Sequence, residues 1–257
     1  MATFLFDQII FGPVRSRRLG ISLGINLLPQ GAKFCNFNCL YCECGWSSEN
    51  FGKQLPGRDV VKHYLGEKLR MMNASNLRLD AITYAGNGEP TLHPEFEGII
   101  DDSIAMRNHY FPEAKIAVLS NSTMLDKPNI IEALKRVDDR ILKLDSAIES
   151  TFQLINRPGK KISVNDVIDW LKALNGKFTL QTLFIKGEYE GQPINNTSQE
   201  EIDAWLNVLD EIKPQKVMIY TFARDTPHPD LEKIGRDKLD EIASLVEKKG
   251  IETVVSY

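Results

Sequence analysis

Apolar and polar positions alternate with two different periods along the chain, one typical of strands and one typical of helices. Ile21, Leu23, Ile25 and Leu27 alternate with polar or small residues, which predicts a strand. In residues 59–73 the apolar residues recur at helical spacing and predict an amphipathic helix. The remaining pattern predicts strands at residues 81–85, 116–119, 141–144, 178–185 and 217–222 and helices at residues 96–110, 129–137, 163–174, 198–213 and 238–249.

Polar residues mark the starts of two predicted helices. Ser163 is followed three positions later by Asp166, and Ser198 by Glu201, a spacing that resembles a capping box. The serine hydroxyl can accept a hydrogen bond from the backbone N–H at that third position. A last strand is a candidate at residues 251–256.

Strands and helices therefore alternate in six strand–helix units, and the pattern allows an extra strand at each end. Such alternation implies a parallel sheet with right-handed crossovers. The sequence contains no repeat and no long linker, so we expect one domain over residues 1–257. The predicted fold class is α/β, a single-domain partial (β/α)6 TIM-like barrel with parallel strands. Its active site is expected at the carboxyl ends of those strands.

Composition narrows the function classes only moderately. Of the 257 residues, 42% are hydrophobic and 26% charged, which is ordinary for a globular protein. The net charge of −4 provides no general attraction to nucleic acid. No apolar run is long enough to span a bilayer, and residues 1–10 do not resemble a secretory signal. Three of the four cysteines are clustered, which is not typical of a disulfide framework, so a cytoplasmic location is predicted.

The clustered cysteines lie in a loop, residues 31–46, that follows the first predicted strand. Cys35, Cys39 and Cys42 are separated by three and two residues, so their thiolates can converge on one metal centre. Four cysteines usually hold a cubane iron–sulfur cluster, and three would leave one iron open for chemistry. Two alternatives remain open at this point: a zinc site completed by Cys44, and a redox pair formed by Cys39 and Cys42.

Polar residues follow several of the other predicted strands. Lys143 and Asp145 share one face of their strand, and Thr179 and Gln181 share one face of the next. Each of these residue sets also has an ordinary interpretation as a turn, a cap or an ion pair. Upstream of the first predicted strand, a short basic run consists of Arg15, Arg17 and Arg18, and it is as typical of a solvated turn as of an anion site. The further strand-end residues are Gly86, Asn87, Gly88, Glu89, Pro90, Ser120, Asn121, Tyr220, Thr221, Phe222 and Arg224.

These motifs together resemble the radical S-adenosylmethionine (SAM) enzymes. The spacing of Cys35, Cys39 and Cys42, with aromatic Tyr41 before the last cysteine, matches that family, and so does Gly-Glu-Pro after the second strand. Four short segments are similar to its wyosine-synthase-like oxidoreductase branch: residues 12–13, 17–20, 87–94 and 155–158.

The resemblance implies a [4Fe-4S] cluster held by Cys35, Cys39 and Cys42, with SAM on the fourth iron. One electron, from a donor such as flavodoxin or ferredoxin, would cleave SAM to methionine and a 5′-deoxyadenosyl radical that abstracts hydrogen from substrate. The implied SAM contacts are Tyr41 at the adenine, Gly86, Asn87, Gly88, Glu89 and Pro90 at the amino group, Ser120 and Asn121 at the ribose, and Lys143 and Asp145 at the carboxylate or ribose, with Gln181 on the same rim.

The substrate is left open by the sequence. A small metabolite and a tRNA nucleoside both suit the family, although the acidic net charge does not favour tRNA. Wyosine synthase resembles a two-cluster enzyme, and the single remaining cysteine, Cys44, counts against that activity. Activation of a glycyl-radical enzyme is an alternative, and a zinc-binding interaction module is an alternative from another class.

Overall fold

The computed structural model describes residues 4–16, 18–47, 55–159 and 161–257. Within these ranges the strands are β1 (Ile10–Ser16), β2 (Gly20–Ile25), β3 (Ala81–Tyr84), β4 (Lys115–Ser120), β5 (Asp139–Lys143), β6 (Thr179–Leu183), β7 (Ile185–Tyr189), β8 (Gln192–Asn195), β9 (Lys216–Tyr220), β10 (Leu231–Lys233) and β11 (Glu252–Ser256). The helices are α1 (Arg58–Ala74), α2 (Phe96–Tyr110), α3 (Pro128–Arg136), α4 (Glu149–Asn156), α5 (Val164–Lys172), α6 (Gln199–Ile212) and α7 (Arg236–Glu247).

Eight strands form one curled sheet in the order β1-β2-β3-β4-β5-β6-β9-β11. All neighbours from β2 to β11 are parallel, and β1 is antiparallel to β2. The helices that connect the parallel strands pack on one face and bury their apolar stripes there, as Val61, Leu65 and Leu69 do on α1. The predicted α/β partial barrel of six strand–helix units is confirmed, and it has an extra strand at each end.

Two parts of the fold were not predicted, and a third was predicted without bounds. Helix α4 has eight residues, too few to show a helical period. The extra strand allowed at the amino-terminal end is β1, an edge strand with exposed Val14 and Arg15, and the sequence pattern did not define its bounds. The segment predicted as one strand over residues 178–185 divides at Phe184, whose buried ring packs edge-on against Trp205 at 5.4 Å. After this division, β7 joins β8 and β10 in a small antiparallel sheet of order β10-β7-β8.

The inner face of the large sheet carries a second, smaller apolar layer. Ala117 on β4, Ile141 on β5 and Met218 on β9 are buried together, and Leu19 from the turn between β1 and β2 packs against them. Ser16 holds this turn, because its Oγ accepts a hydrogen bond of 3.1 Å from the backbone N–H of Leu19. Leu19 therefore lies inside the partial barrel.

The predicted helix starts at Ser163 and Ser198 are confirmed. Ser163 Oγ accepts from the backbone N–H of Asp166, and Asp166 Oδ2 accepts from the backbone N–H of Ser163. Ser198 Oγ accepts from the backbone N–H of Glu201, whose carboxylate turns to Ser146 instead of closing a box. Over the described ranges, we find no helix with both the length and the apolar content that a membrane span requires.

Candidate functional site

A pocket of about 310 Å³ opens at the carboxyl ends of the parallel strands. The cysteine loop forms one side of it, and residues from the ends of β3, β4, β5, β6 and β9 form the rest. The predicted site residues that line it are Cys35, Cys39, Tyr41, Cys42, Gly86, Gly88, Glu89, Ser120, Asn121, Lys143 and Gln181. The fold thus brings these predicted residues together at one edge of the sheet, as expected for residues at the carboxyl ends of parallel strands.

Asn87, Pro90 and Asp145 lie behind the pocket wall. The Asn87 side chain is fully buried, and its Nδ2 donates hydrogen bonds of 2.8 Å to the carbonyl oxygens of Phe6 and Pro29. Pro90 begins a short 3₁₀ turn. Asp145 is buried below the pocket and contacts residues that do line it. These three residues support the site and do not face its opening.

The inner side of the cysteine loop is bonded to the loop after β3. The backbone N–H of Phe34 donates to the carbonyl of Asn87 at 2.8 Å, and the N–H of Glu89 donates to the carbonyl of Phe34 at 3.1 Å. A Cβ at Gly88 would lie 1.9 Å from that Phe34 oxygen, and Gly88 has φ +139°. Glycine at this position therefore allows the two loops to pair.

The outer side of the loop is bonded to the end of α4. The backbone N–H of Leu40 donates to the carbonyl of Ile155 at 3.0 Å, and that of Asn38 donates to the carbonyl of Asn156 at 3.0 Å. The N–H of Gly159 donates in turn to the carbonyl of Asn36 at 2.8 Å. Backbone bonds on both sides thus fix the loop that carries the cysteines.

Nitrogen donors surround the thiols of Cys35 and Cys39. The backbone N–H of Phe37 lies 3.4 Å from Cys35 Sγ, and the Asn121 amide lies 3.6 Å from the same sulfur. The Asn156 amide lies 3.5 Å from Cys39 Sγ. Donors at these positions stabilise negative charge on sulfur.

Lys33 places a buried ammonium beside the same sulfurs. Its Nζ donates to the carbonyl of Gly45 at 3.0 Å, and the residue is 3% exposed. Burial disfavours the charged form, but the nearby cysteine sulfurs outweigh burial and raise the pKa of Lys33 above its ordinary value. Lys33 was not among the predicted site residues, because a lysine in a loop has no distinguishing sequence pattern.

Cys44 differs from the other three cysteines in its contacts. Its thiol lies 3.4 Å from the carbonyl oxygen of Gly86. A hydrogen bond from Cys44, with the charge of Lys33, lowers the pKa of Cys42 to about 5 despite burial. The bond to Cys42 and burial raise the pKa of Cys44. Cys44 therefore contacts the loop after β3 through Gly86, and Cys42 is the more acidic of these two thiols.

The donor set distinguishes between a single metal ion and a cluster. Around one zinc ion the sulfurs would lie within about 4 Å of one another. In the described parts of the chain, no three Cys, His, Asp or Glu side chains are arranged to hold a single ion. Three thiols facing one pocket, with N–H donors and a buried cation beside them, fit a polynuclear iron–sulfur cluster better.

Glu89 is buried and already bonded on both carboxylate oxygens. Oε1 accepts from the backbone N–H and hydroxyl of Thr91, and Oε2 accepts from the backbone N–H of Asn121 at 2.6 Å. Burial is the main cause that raises its pKa. Glu89 therefore links the loops after β3 and β4 while lining the pocket.

A polar network joins Tyr41, Asp145 and Lys143 on the opposite wall. Asp145 accepts from the Tyr41 hydroxyl, from Lys143 Nζ at 3.2 Å and from the Asn156 amide at 2.7 Å. Lys143 also donates to the Tyr220 hydroxyl at 3.0 Å. Burial disfavours the ammonium, but Asp145 overcompensates and raises the pKa of Lys143. Lys143 and Asp145 form an ion pair, which was the alternative interpretation of these two residues, and the network connects the cysteine loop to β9.

Comparison with known proteins assigns the class of this fold and site. The sequence model of the Radical SAM superfamily matches residues 31–195, which is well over half of the chain. A solved radical SAM methyltransferase from Sphaerobacter thermophilus superposes with a TM-score of 0.67 at 13% identity, over 92% of this chain and 66% of that one. The archaeal protein TYW1 superposes with a TM-score of 0.54 at 14% identity, over 88% of this chain and 71% of that one. The chain belongs to the radical SAM superfamily, whose members use a [4Fe-4S] cluster and SAM.

Two relatives extend the comparison at the sequence level. A protein named GTPase Obg from Brachyspira hyodysenteriae is 30% identical over 236 residues, which is 90% of this chain and 32% of that protein. A UPF0026 protein from Helicobacter pylori is 28% identical over 235 residues, 90% of this chain and 71% of that one. The chain thus spans about a third of the first relative and about seven-tenths of the second.

Proposed function

We propose that the chain is a radical SAM enzyme in which Cys35, Cys39 and Cys42 hold one [4Fe-4S] cluster. With cluster and SAM bound, the chemistry supplied is one-electron reductive cleavage of the sulfonium to methionine and a 5′-deoxyadenosyl radical that removes hydrogen from a small substrate. The electron comes from a one-electron donor of the flavodoxin or ferredoxin type. The single observation that supports this most is the convergence of the three thiols on the strand-end pocket.

The chain's own residues bind and orient the reactants. Gly86, Gly88 and Glu89 form the wall beside the cysteine loop and are proposed to receive the methionine end of SAM. Glu89 can accept a charge-assisted hydrogen bond from the SAM amino group while it retains its bonds to Thr91 and Asn121. Tyr41 is proposed to lie near the adenine, and its hydroxyl is held by Asp145.

The other predicted SAM contacts keep supporting roles in this proposal. Ser120, Asn121 and Gln181 line the pocket and offer hydroxyl and amide groups for a ribose. Three residues behind the pocket wall are proposed to hold the cysteine loop, the loop after β3 and the Tyr41 hydroxyl in place: Asn87, Pro90 and Asp145. A pocket recessed at the strand ends limits the access of water to a reactive radical, and the protein otherwise supplies binding and orientation.

The proposal is tested by anaerobic reconstitution and a product assay. Wild-type protein should bind about four irons per chain and form 5′-deoxyadenosine from SAM after reduction. Cys35→Ala, Cys39→Ala and Cys42→Ala should each abolish that product. Cys44→Ala is the matched control and should retain iron near the wild-type content. A colourless protein with stoichiometric zinc, or a cluster that depends on Cys44 and not on Cys35, would refute the assignment.

A further inference from the structure

Two cationic side chains reach the pocket from different elements and meet at one tyrosine. Arg18 comes from the turn between β1 and β2, and Lys143 is the last residue of β5. The Arg18 Cζ lies 5.0 Å from the centroid of the Tyr220 ring, and Lys143 Nζ lies 3.0 Å from the Tyr220 hydroxyl oxygen. The neighbouring Leu19 packs into the inner layer, which explains why Arg18 starts inside the barrel.

The arrangement directs hydrogen-bond donors towards a common ligand. A guanidinium carries its N–H donors in one plane and can bind two oxygens of one anion, and the guanidinium of Arg18 lines the pocket beside the Tyr220 ring. Lys143 has donors only, so in its bond with Tyr220 the phenol oxygen accepts. The Tyr220 O–H can therefore donate to the same ligand as Arg18.

Nearby carboxylates could repel an anion, so their partners matter. Glu43 is bonded to Arg224 at 2.9 Å at the edge of the pocket. Asp145 is fully buried and is bonded to Lys143. Glu89 is bonded to backbone N–H groups on the wall beside the cysteine loop. Each of these negative charges is thus compensated by its own donors.

We propose that Arg18 and Tyr220, with Lys143 orienting the phenol, form an anion subsite for a carboxylate or phosphate group of the substrate. This assignment rests on the proposed function and defines its substrate class as a small organic anion. Apolar side chains beside the subsite suit the carbon skeleton of such a molecule: Leu119, Leu183 and Phe222. The methionine end of SAM is placed separately, against Gly86–Glu89.

The test measures anion binding apart from catalysis. Anaerobic, cluster-loaded protein saturated with SAM is titrated calorimetrically with inorganic phosphate and, separately, with malonate. Wild type should bind one of these anions, and the preferred one identifies the phosphate or carboxylate source. Arg18→Gln should weaken binding about tenfold or more, and Tyr220→Phe, which keeps the ring, should weaken it by about tenfold at most.

Arg15→Gln is the matched control, because Arg15 is exposed on β1 and lies outside the pocket. It should bind the anion as wild type does. Unchanged anion affinity in Arg18→Gln, no binding by wild type, or a loss of SAM affinity in Arg18→Gln would each overturn the subsite. If Arg18→Gln loses its iron or its cooperative thermal unfolding, the anion affinities of Arg18→Lys and Tyr220→Phe are measured instead. Formation of 5′-deoxyadenosine without substrate reports on the proposed function separately, so the two failures are distinguishable.

Discussion

The side-chain amide of Asn156 lies 3.5 Å from the sulfur of Cys39 and donates towards it. The same nitrogen also lies 2.7 Å from Asp145 Oδ2, which fixes the orientation of the amide. Asn156 is the last residue of α4 and is 1% exposed, so water does not compete for these bonds. One buried amide thus joins a proposed cluster ligand to the wall that carries Lys143 and Tyr41.

Replacing Asn156 by alanine should make the reduction potential of the cluster more negative. A hydrogen bond to a ligand sulfur stabilises the reduced, more negative form, so its loss makes reduction harder. Redox titration followed by electron paramagnetic resonance measures the shift. Asn108→Ala, at an exposed position on α2, is the control. An unchanged potential in a variant with a full iron complement would show that Asn156 does not act on the cluster.

Replacing Gly88 by alanine should disrupt the cysteine loop. The new Cβ would lie 1.9 Å from the Phe34 carbonyl oxygen, which is backbone and must move. We expect iron content to fall and the free energy of unfolding to drop by about 1–3 kcal/mol. Gly57→Ala is the control, since a Cβ there meets nothing within 4 Å. Iron analysis and chemical denaturation check both variants, and equal behaviour would contradict the prediction.

Replacing Glu89 by glutamine should weaken SAM binding by about one to two decades. One charge-assisted hydrogen bond is worth roughly 1.5–3 kcal/mol, which corresponds to that range. The amide would also place a donor against the backbone N–H of Thr91 or Asn121, so stability is measured in parallel. Thr91→Val removes one bond to Glu89 but keeps the charge, and it should lose less SAM affinity. Equilibrium dialysis under anaerobic conditions compares the two, and equal affinity in Glu89→Gln and wild type would remove Glu89 from the SAM site.

His93 should make stability depend on pH. Its Nδ1 accepts from the backbone N–H of Glu95 at 3.1 Å, so Nε2 carries the proton and donates to the carbonyl of Pro56 at 2.9 Å. Burial lowers the pKa of His93. Its folded-state pKa is therefore below the unfolded value of 6.5, and stability should fall as pH decreases through 6.5.

Urea denaturation between about pH 8 and pH 5 measures this loss. His93→Gln should flatten that part of the pH profile, although it lowers stability at every pH. His63→Gln changes an exposed histidine on α1 and should leave the profile as it is in wild type. A profile that keeps its slope in His93→Gln would assign the pH dependence to another group.

The position of the site could be predicted because parallel strands end at one edge. Cys35 and Lys143 are 108 positions apart by residue number, yet both line the pocket, since each follows or ends a parallel strand. The spacing of the cysteines in the sequence indicated that they belong to one metal-binding group at this edge. Strand order needed no further information, because consecutive strand–helix units usually lie side by side.

The role of Gly88 and the reach of Arg18 could not be predicted. Gly88 is required by pairing with Phe34, a contact between two loops that no local pattern records. In the sequence, Arg18 is one of three similar basic residues, with Arg15 and Arg17. It lies inside the barrel because the neighbouring Leu19 packs there. Both features depend on tertiary contacts between segments without periodicity.

The position of Leu19 also limits the routes by which molecules can enter the pocket. By packing on Ala117, Ile141 and Met218, Leu19 closes the amino-terminal end of the barrel, so the pocket has its opening at the strand ends. The sheet is also open between its edge strands β1 and β11, which do not pair with each other, so a molecule can reach Arg18 from that side while SAM is bound. We expect steady-state kinetics without a compulsory order, in which SAM and the anionic substrate each bind whether or not the other is present.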